Sequence, residues 1–110
     1  MGEIIKRLGA VEPSANVATT LYRVPAGRTA VVGCINVCNR NPSKVKVTVA
    51  HVDGAIANIS NEDYIIYNKD LVATSTLTIQ CGISMAASDC LYVKTNTASV
   101  NFIAWGSEMS

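Results

Sequence analysis

The clearest alternation of apolar and polar positions lies at residues 44–53, KVKVTVAHVD, where Val45, Val47 and Val49 fall on one side and Lys44, Lys46 and Thr48 on the other. A period of two predicts a strand with one face in a core and one in water. Around it the chain divides into similar runs. Thr19–Val24 (TTLYRV) is closed by Pro25-Ala26-Gly27, a turn in which proline presets one backbone angle and glycine supplies a positive φ. Arg28–Cys38 (RTAVVGCINVC) ends at Asn39-Arg40-Asn41-Pro42-Ser43, and its length suits a central strand. A small-residue loop over residues 54–63 leads to a short strand, Tyr64–Tyr67, stopped by Asn68-Lys69-Asp70. Leu71–Ile79 follows with Leu77 and Ile79 inward, then a turn around Gly82. Cys90–Thr95 alternates Leu91 and Val93 with Tyr92 and Lys94, and Ala98–Trp105 places Val100 and Phe102 on one face.

Seven or eight short strands at roughly ten-residue spacing predict an all-β fold, a single-domain antiparallel β-sandwich of jelly-roll or Ig-like connection. Residues 18–110 are expected to form that domain. Residues 1–17 contain Ile4, Ile5 and Leu8 but are too few to fold alone, so they are expected to form an extended N-terminal arm that orders on a neighbouring subunit.

Composition narrows the partners. Of 110 residues, 49% are hydrophobic and only 15% charged, with a formal net charge of +1. That balance supplies no field to hold nucleic acid or an acidic membrane, and so neutral a surface favours association with protein. No signal-peptide stretch or run of eighteen apolar residues is visible, so no membrane span is expected. Gly2 does not make a myristoylation signal, because Lys6 stands where serine or threonine is required.

The four cysteines raise the question of chemistry. On a straight strand Cys34 and Cys38 share a face but lie roughly 13 Å apart, at about 3.3 Å per residue. A disulfide needs Cα atoms within about 7 Å, and a shared zinc needs both thiolates about 2.3 Å from the metal. Cys81 and Cys90 lack a zinc spacing as well, so small, buried or half-buried thiols are the expectation, and no cofactor or metal is. A long-range pair such as Cys34 with Cys90 stays open, against the lack of an export signal.

His51 is read as a hydrogen-bonded structural histidine in preference to a general base working with Asp53. Asp53, Glu62, Asp63 and Asp70 crowd the middle loops and are read as solvated turn residues, a calcium site or hydrolase pair being the alternative. Glycine-rich phosphate loops and nucleophile-elbow patterns are absent, so the chain is not expected to be an enzyme. Trp105, with Tyr22, Tyr64, Tyr67 and Tyr92, fits a core or subunit interface, or a platform stacking on sugar rings. Tyr64, Tyr67 and Trp105 are the candidate ligand or interface residues.

Several stretches carry a resemblance: TTLYRVPAGRTAVV at 19–32, INVCNRN at 35–41, DYIIY at 63–67, SMAASDCLYV at 84–93 and ASVNFIAWGSEMS at 98–110. As a set they resemble small structural proteins of tailed bacteriophages. The resemblance implies a bacteriophage virion component assembled in the host cytoplasm. Such a component is a capsid cement or decoration protein, or alternatively a tail, neck or fibre part with a receptor or glycan role. Its partners are itself, as a homo-oligomer with a trimer as one expected form, and other virion proteins such as the major capsid protein. It carries over no catalytic or metal residue.

Overall fold

The alternating runs become eight strands: β1 Glu3–Val11, β2 Thr19–Arg23, β3 Thr29–Asn39, β4 Val45–Val52, β5 Tyr64–Leu71, β6 Thr76–Met85, β7 Cys90–Thr95 and β8 Val100–Met109. The computed structural model describes residues 3–109, and the side chains of all of these but residues 3–5 and 81. Two four-stranded antiparallel sheets form, the first in the order β1-β8-β3-β6 and the second in the order β2-β7-β4-β5. Except for the β4–β5 pair, each strand is followed by one in the other sheet, so the chain winds around a shared core. This connection order is that of an eight-stranded jelly roll and decides against the Ig-like alternative.

The core follows from the period-two pattern. Val45, Val47 and Val49 of β4, Leu91 and Val93 of β7, Val32, Ile35 and Val37 of β3, and Phe102 and Ala104 of β8 are fully enclosed between the sheets. Leu77, Ile79 and Ile83 of β6 close one edge. Burying a large aliphatic or aromatic side chain contributes about 1.5–3 kcal/mol, so this interior is the main source of stability.

Four expectations need correction. Residues 3–11, read as part of an arm, are the edge strand β1 of this sandwich, with Glu3 opposite Met109 and Val11 opposite Phe102. The reason is Gly9. A Cβ there would lie 2.2 Å from the Leu21 carbonyl oxygen, so only glycine lets β1 close onto β2 while Leu8 and Val11 pack on the core. Met1 and Gly2 lie outside the described residues.

The strand beginning at Tyr64 continues to Leu71 through Asn68. Asn68 takes φ 48° there, and its backbone N–H is satisfied by the Thr48 hydroxyl at 3.0 Å, which makes a bulge and not a stop. The break falls at residues 72–75 instead of before Leu71, and β6 begins at Thr76. Gly82 is not a turn. The register passes from Val32 opposite Ile83 to Cys34 opposite Gln80, so residues 81 and 82 face Gly33 alone as a second bulge within β6. Matching irregularities at Leu8 in β1 and Gly33 against β8 bring the bulges to one level of the first sheet.

Candidate functional site

Three places gather the residues with chemistry. The first is the outer face of the first sheet. Because Ile35, Val37, Phe102 and Ala104 point inward, Cys34, Asn36 and Cys38 of β3 and Asn101, Ile103 and Trp105 of β8 point outward. The registers align Arg7, Trp105, Cys34 and Gln80 in one row across all four strands. The next row is Ala10, Ile103, Asn36 and Thr78. Trp105 remains 37% exposed at the middle of this largely uncharged surface.

The second place is edge strand β5. The segment from residue 54 to 63 folds back over the outer side of the second sheet, where Ile56 and Ile59 cover Ala50, Val52 and Tyr92. Two single-turn 3-10 helices, Ile56–Asn58 and Asn61–Asp63, shape it. In the latter the Asp63 carboxylate accepts the N–H of the N-cap Ser60 at 2.9 Å, so Asp63 closes a capping box. The flap leaves Tyr64 packed edge-on against Tyr67, with ring centroids 4.8 Å apart, and Tyr67 65% exposed. Asn61 joins the two rings in lining a shallow hollow of about 280 Å³.

The third place is the end of β4. His51 Nε2 lies 3.0 Å from Asp89 Oδ2, which also accepts the Ala86 backbone N–H at 3.0 Å. Asp53 brings its carboxylate to the same point, and donor atoms of His51, Asp53 and Asp89 all lie within 4.8 Å of one another. Burial pushes the Asp89 carboxyl up, but the hydrogen bonds from His51 and Ala86 outweigh it and hold the group below the ordinary carboxylate value. The three residues open onto a cleft of about 490 Å³ whose opposite wall includes Thr29, Val31, Ser84 and Met109.

The aromatic residues grouped by sequence are therefore divided. Trp105 stands on the outer face of one sheet, Tyr64 and Tyr67 on the other, Tyr92 beneath the flap, and Tyr22 hydrogen-bonds Glu108 between the sheets. The middle carboxylates separate too: Asp70 pairs with Lys46 at 2.8 Å and Lys44 at 3.4 Å, while Asp53 alone of that group meets the histidine. Asp89 is not among the sequence candidates, since thirty-eight positions separate it from His51 and only the β4–β7 register joins them. Cys34, Cys38 and Cys90 are free thiols, two half-buried on the outer face and the third enclosed in β7, where burial raises its pKa. The side chain of Cys81 lies outside the described residues.

No family model and no curated protein matches the sequence. Similarity appears among solved structures. One chain of the T13 viral particle of infectious bursal disease virus superposes with a TM-score of 0.57 at 11% identity, over 96% of this chain and 30% of that one. A chain of the Gx strain of the same virus gives 0.55 at 11% identity, over 97% and 32%. The likeness shows the fold, and this chain spans about a third of the length of the virus-particle chains it matches.

Proposed function

We propose that this protein is a structural component of a bacteriophage virion that packs against copies of itself and against the major capsid protein, as a capsid cement. The observation that carries the reading is the outer face of the first sheet, centred on Trp105. Interface centres are depleted in charge and enriched in aromatic residues. The rows Arg7, Trp105, Cys34 and Gln80, and Ala10, Ile103, Asn36 and Thr78, carry one aromatic side chain and a single charge, Arg7, and arginine is also enriched at such centres. The likeness of its fold to two virus-particle chains supports a structural role in a virion, and the sequence resemblance to tailed-phage proteins favours the bacteriophage reading. Its mechanism is linkage: a protein that binds only the assembled lattice stabilises that lattice by mass action. No catalytic step is assigned to any residue.

Immunogold labelling of intact purified particles, with antibody to the recombinant chain, tests this. Label spread over heads is expected. Label confined to tails would move the protein to a neck, tail or fibre position, and unlabelled particles would remove it from the virion.

The hollow at Asn61, Tyr64 and Tyr67 favours one second reading, a receptor or glycan contact on a tail or fibre part. An exposed tyrosine beside an edge-on partner offers a stacking face for a sugar ring, with the Asn61 amide to bond a hydroxyl. A glycan-array signal lost in Tyr67→Ala and kept in Trp105→Ala would establish it.

A further inference from the structure

We infer that His51, Asp53 and Asp89 form a binding site for a divalent transition-metal ion of the zinc class. The distances carry the inference. Adjacent donors about 2.1 Å from a tetrahedral ion lie roughly 3.4 Å apart, so His51 Nε2 and Asp89 Oδ2, 3.0 Å apart, need to open by only a few tenths of an ångström to serve as adjacent ligands. Asp53 follows His51 by two residues and so leaves the strand end on the same side. Its carboxylate is exposed and lies within 4.8 Å of the other two donors, so a side-chain movement of less than about 2 Å brings it to the ligand–ligand spacing of a zinc site.

Two of the three positions are rigid before any ion arrives. The strand ladder holds His51 opposite Leu91. Asp89 is fixed by its own carboxylate on Ala86, and its turn is fixed by paired backbone bonds, Val24 N–H to Asp89 O and Ser88 N–H to Val24 O, both 3.0 Å. Preorganised ligands lose little freedom on binding.

Charge favours a cation as well. Among the described ion pairs none joins a lysine or arginine to Asp53 or Asp89, so the His51 imidazole, 3.0 Å from Asp89 and within 4.8 Å of Asp53, is the basic group at two carboxylates. An imidazole among carboxylates suits zinc-class ions, whereas calcium and magnesium prefer oxygen alone. The ion takes the place of the hydrogen bond between His51 Nε2 and Asp89, with the neutral imidazole carrying its proton on Nδ1, and the remaining coordination positions face the cleft. Bound there, it ties the end of β4 to the β6–β7 turn.

Cobalt titration of the full chain, followed in the visible spectrum and then displaced with Zn2+, tests the site. Expected are d–d bands without a sulfur-to-cobalt charge-transfer band, at least tenfold weaker binding in both Asp53→Asn and His51→Gln, and metal-free unfolding temperature unchanged in Asp53→Asn. Zinc at one hundred times its dissociation constant should raise the unfolding temperature on the order of 10 °C. A charge-transfer band would place the ion on the cysteines and overturn the proposal. So would unaltered binding in Asp53→Asn, an equal stabilisation by Ca2+, or no spectral change at millimolar cobalt.

Discussion

Tyr22, on β2 of one sheet, donates its phenolic proton to Glu108 Oε2, on β8 of the other, at 2.5 Å. Glu108 is 4% exposed and also receives Lys6 Nζ at 3.0 Å and Arg28 at 3.5 Å. The bond therefore spans the sandwich near its rim and joins strands that are eighty-six residues apart. Tyr22→Phe removes the donor and leaves a buried carboxylate with only its two part-exposed cations. A loss of about 1–3 kcal/mol is expected, measured by urea unfolding at neutral pH.

The same pair contributes at both ends of the stability profile. The hydrogen bond from Tyr22 lowers the Glu108 pKa against the effect of burial, with Lys6 and Arg28 adding to it. A depressed carboxylate contributes stability above its ordinary value of 4.5, and that stability drains away as the pH falls through the lower folded value. Burial, then the bond to Glu108, raises the Tyr22 phenol above its ordinary 10.0. Its contribution is complete below pH 10 and is lost as pH climbs toward the raised value. Unfolding free energies from about pH 3 to 11 should fall at both ends in the parent protein. In Tyr22→Phe the alkaline fall should be smaller; an identical alkaline limb would contradict the assignment.

Removing residues 1–11 should do more than release an arm. It strips β1 from β8, leaving a ten-residue strand as an unpaired edge and uncovering the core at Phe102. The truncated chain is expected to aggregate or to melt well below the full chain in scanning calorimetry. A soluble truncation product of unchanged melting temperature would return the segment to the role of an arm.

How much of this is legible in the sequence depends on the range of the cause. Alternation in KVKVTVAHVD and CLYVKT identifies β4 and β7 and their inward residues, because strand periodicity is local. Asn68 and Gly82 mislead, since each is a residue that ends strands in isolation but here occupies a bulge completed by Thr48 or by the facing Gly33. Tyr64 and Trp105 stand out together as exposed-aromatic candidates, yet their placement on opposite outer faces is a property of sheet order. Asp89 and Glu108 carry no local signal at all: their partners arrive through register and sheet packing.

If the Trp105 face is a subunit interface, Trp105→Glu should separate assembly from folding. Trp105 points away from the core and sits at 37% exposure, so the monomer should keep its stability to within about 0.5 kcal/mol, as surface changes usually do. A glutamate there removes the aromatic contact area and brings a carboxylate that must be desolvated, with only Arg7 opposite it across the β1–β8 register, so association should weaken by more than about tenfold, as sedimentation of the variant or its binding to stripped particles would register. Undiminished assembly would shift attention to β5.

Asn39 offers the most discriminating test of how the sandwich end is closed. It is 1% exposed at the last position of β3, and the two hydrogens of its Nδ2 group are shared among the carbonyls of Ser43 at 3.0 Å, Leu71 at 3.2 Å and Val72 at 3.0 Å. Its Oδ1 accepts from the Asn41 backbone N–H at 2.9 Å. One amide thus binds the exit of β3 to the β5–β6 connection, whose Thr74 holds a left-handed φ of 51°. Asn39→Ala removes the side-chain partner of the enclosed Leu71 carbonyl and of the Asn41 N–H, while the Val72 carbonyl keeps the Ser75 hydroxyl at 2.7 Å, so a loss of about 1–3 kcal/mol is expected. Asn39→Asp keeps the acceptor but turns a carboxylate toward three carbonyls, so it should destabilise at least as much at neutral pH. Because burial and the carbonyls favour the protonated acid, its deficit relative to the parent should shrink as pH falls toward the ordinary carboxylate range. Chemical denaturation of both variants at about pH 7 and pH 5 measures this; a deficit in Asn39→Asp that stays constant with pH would mean that the amide's donors are not what closes this end.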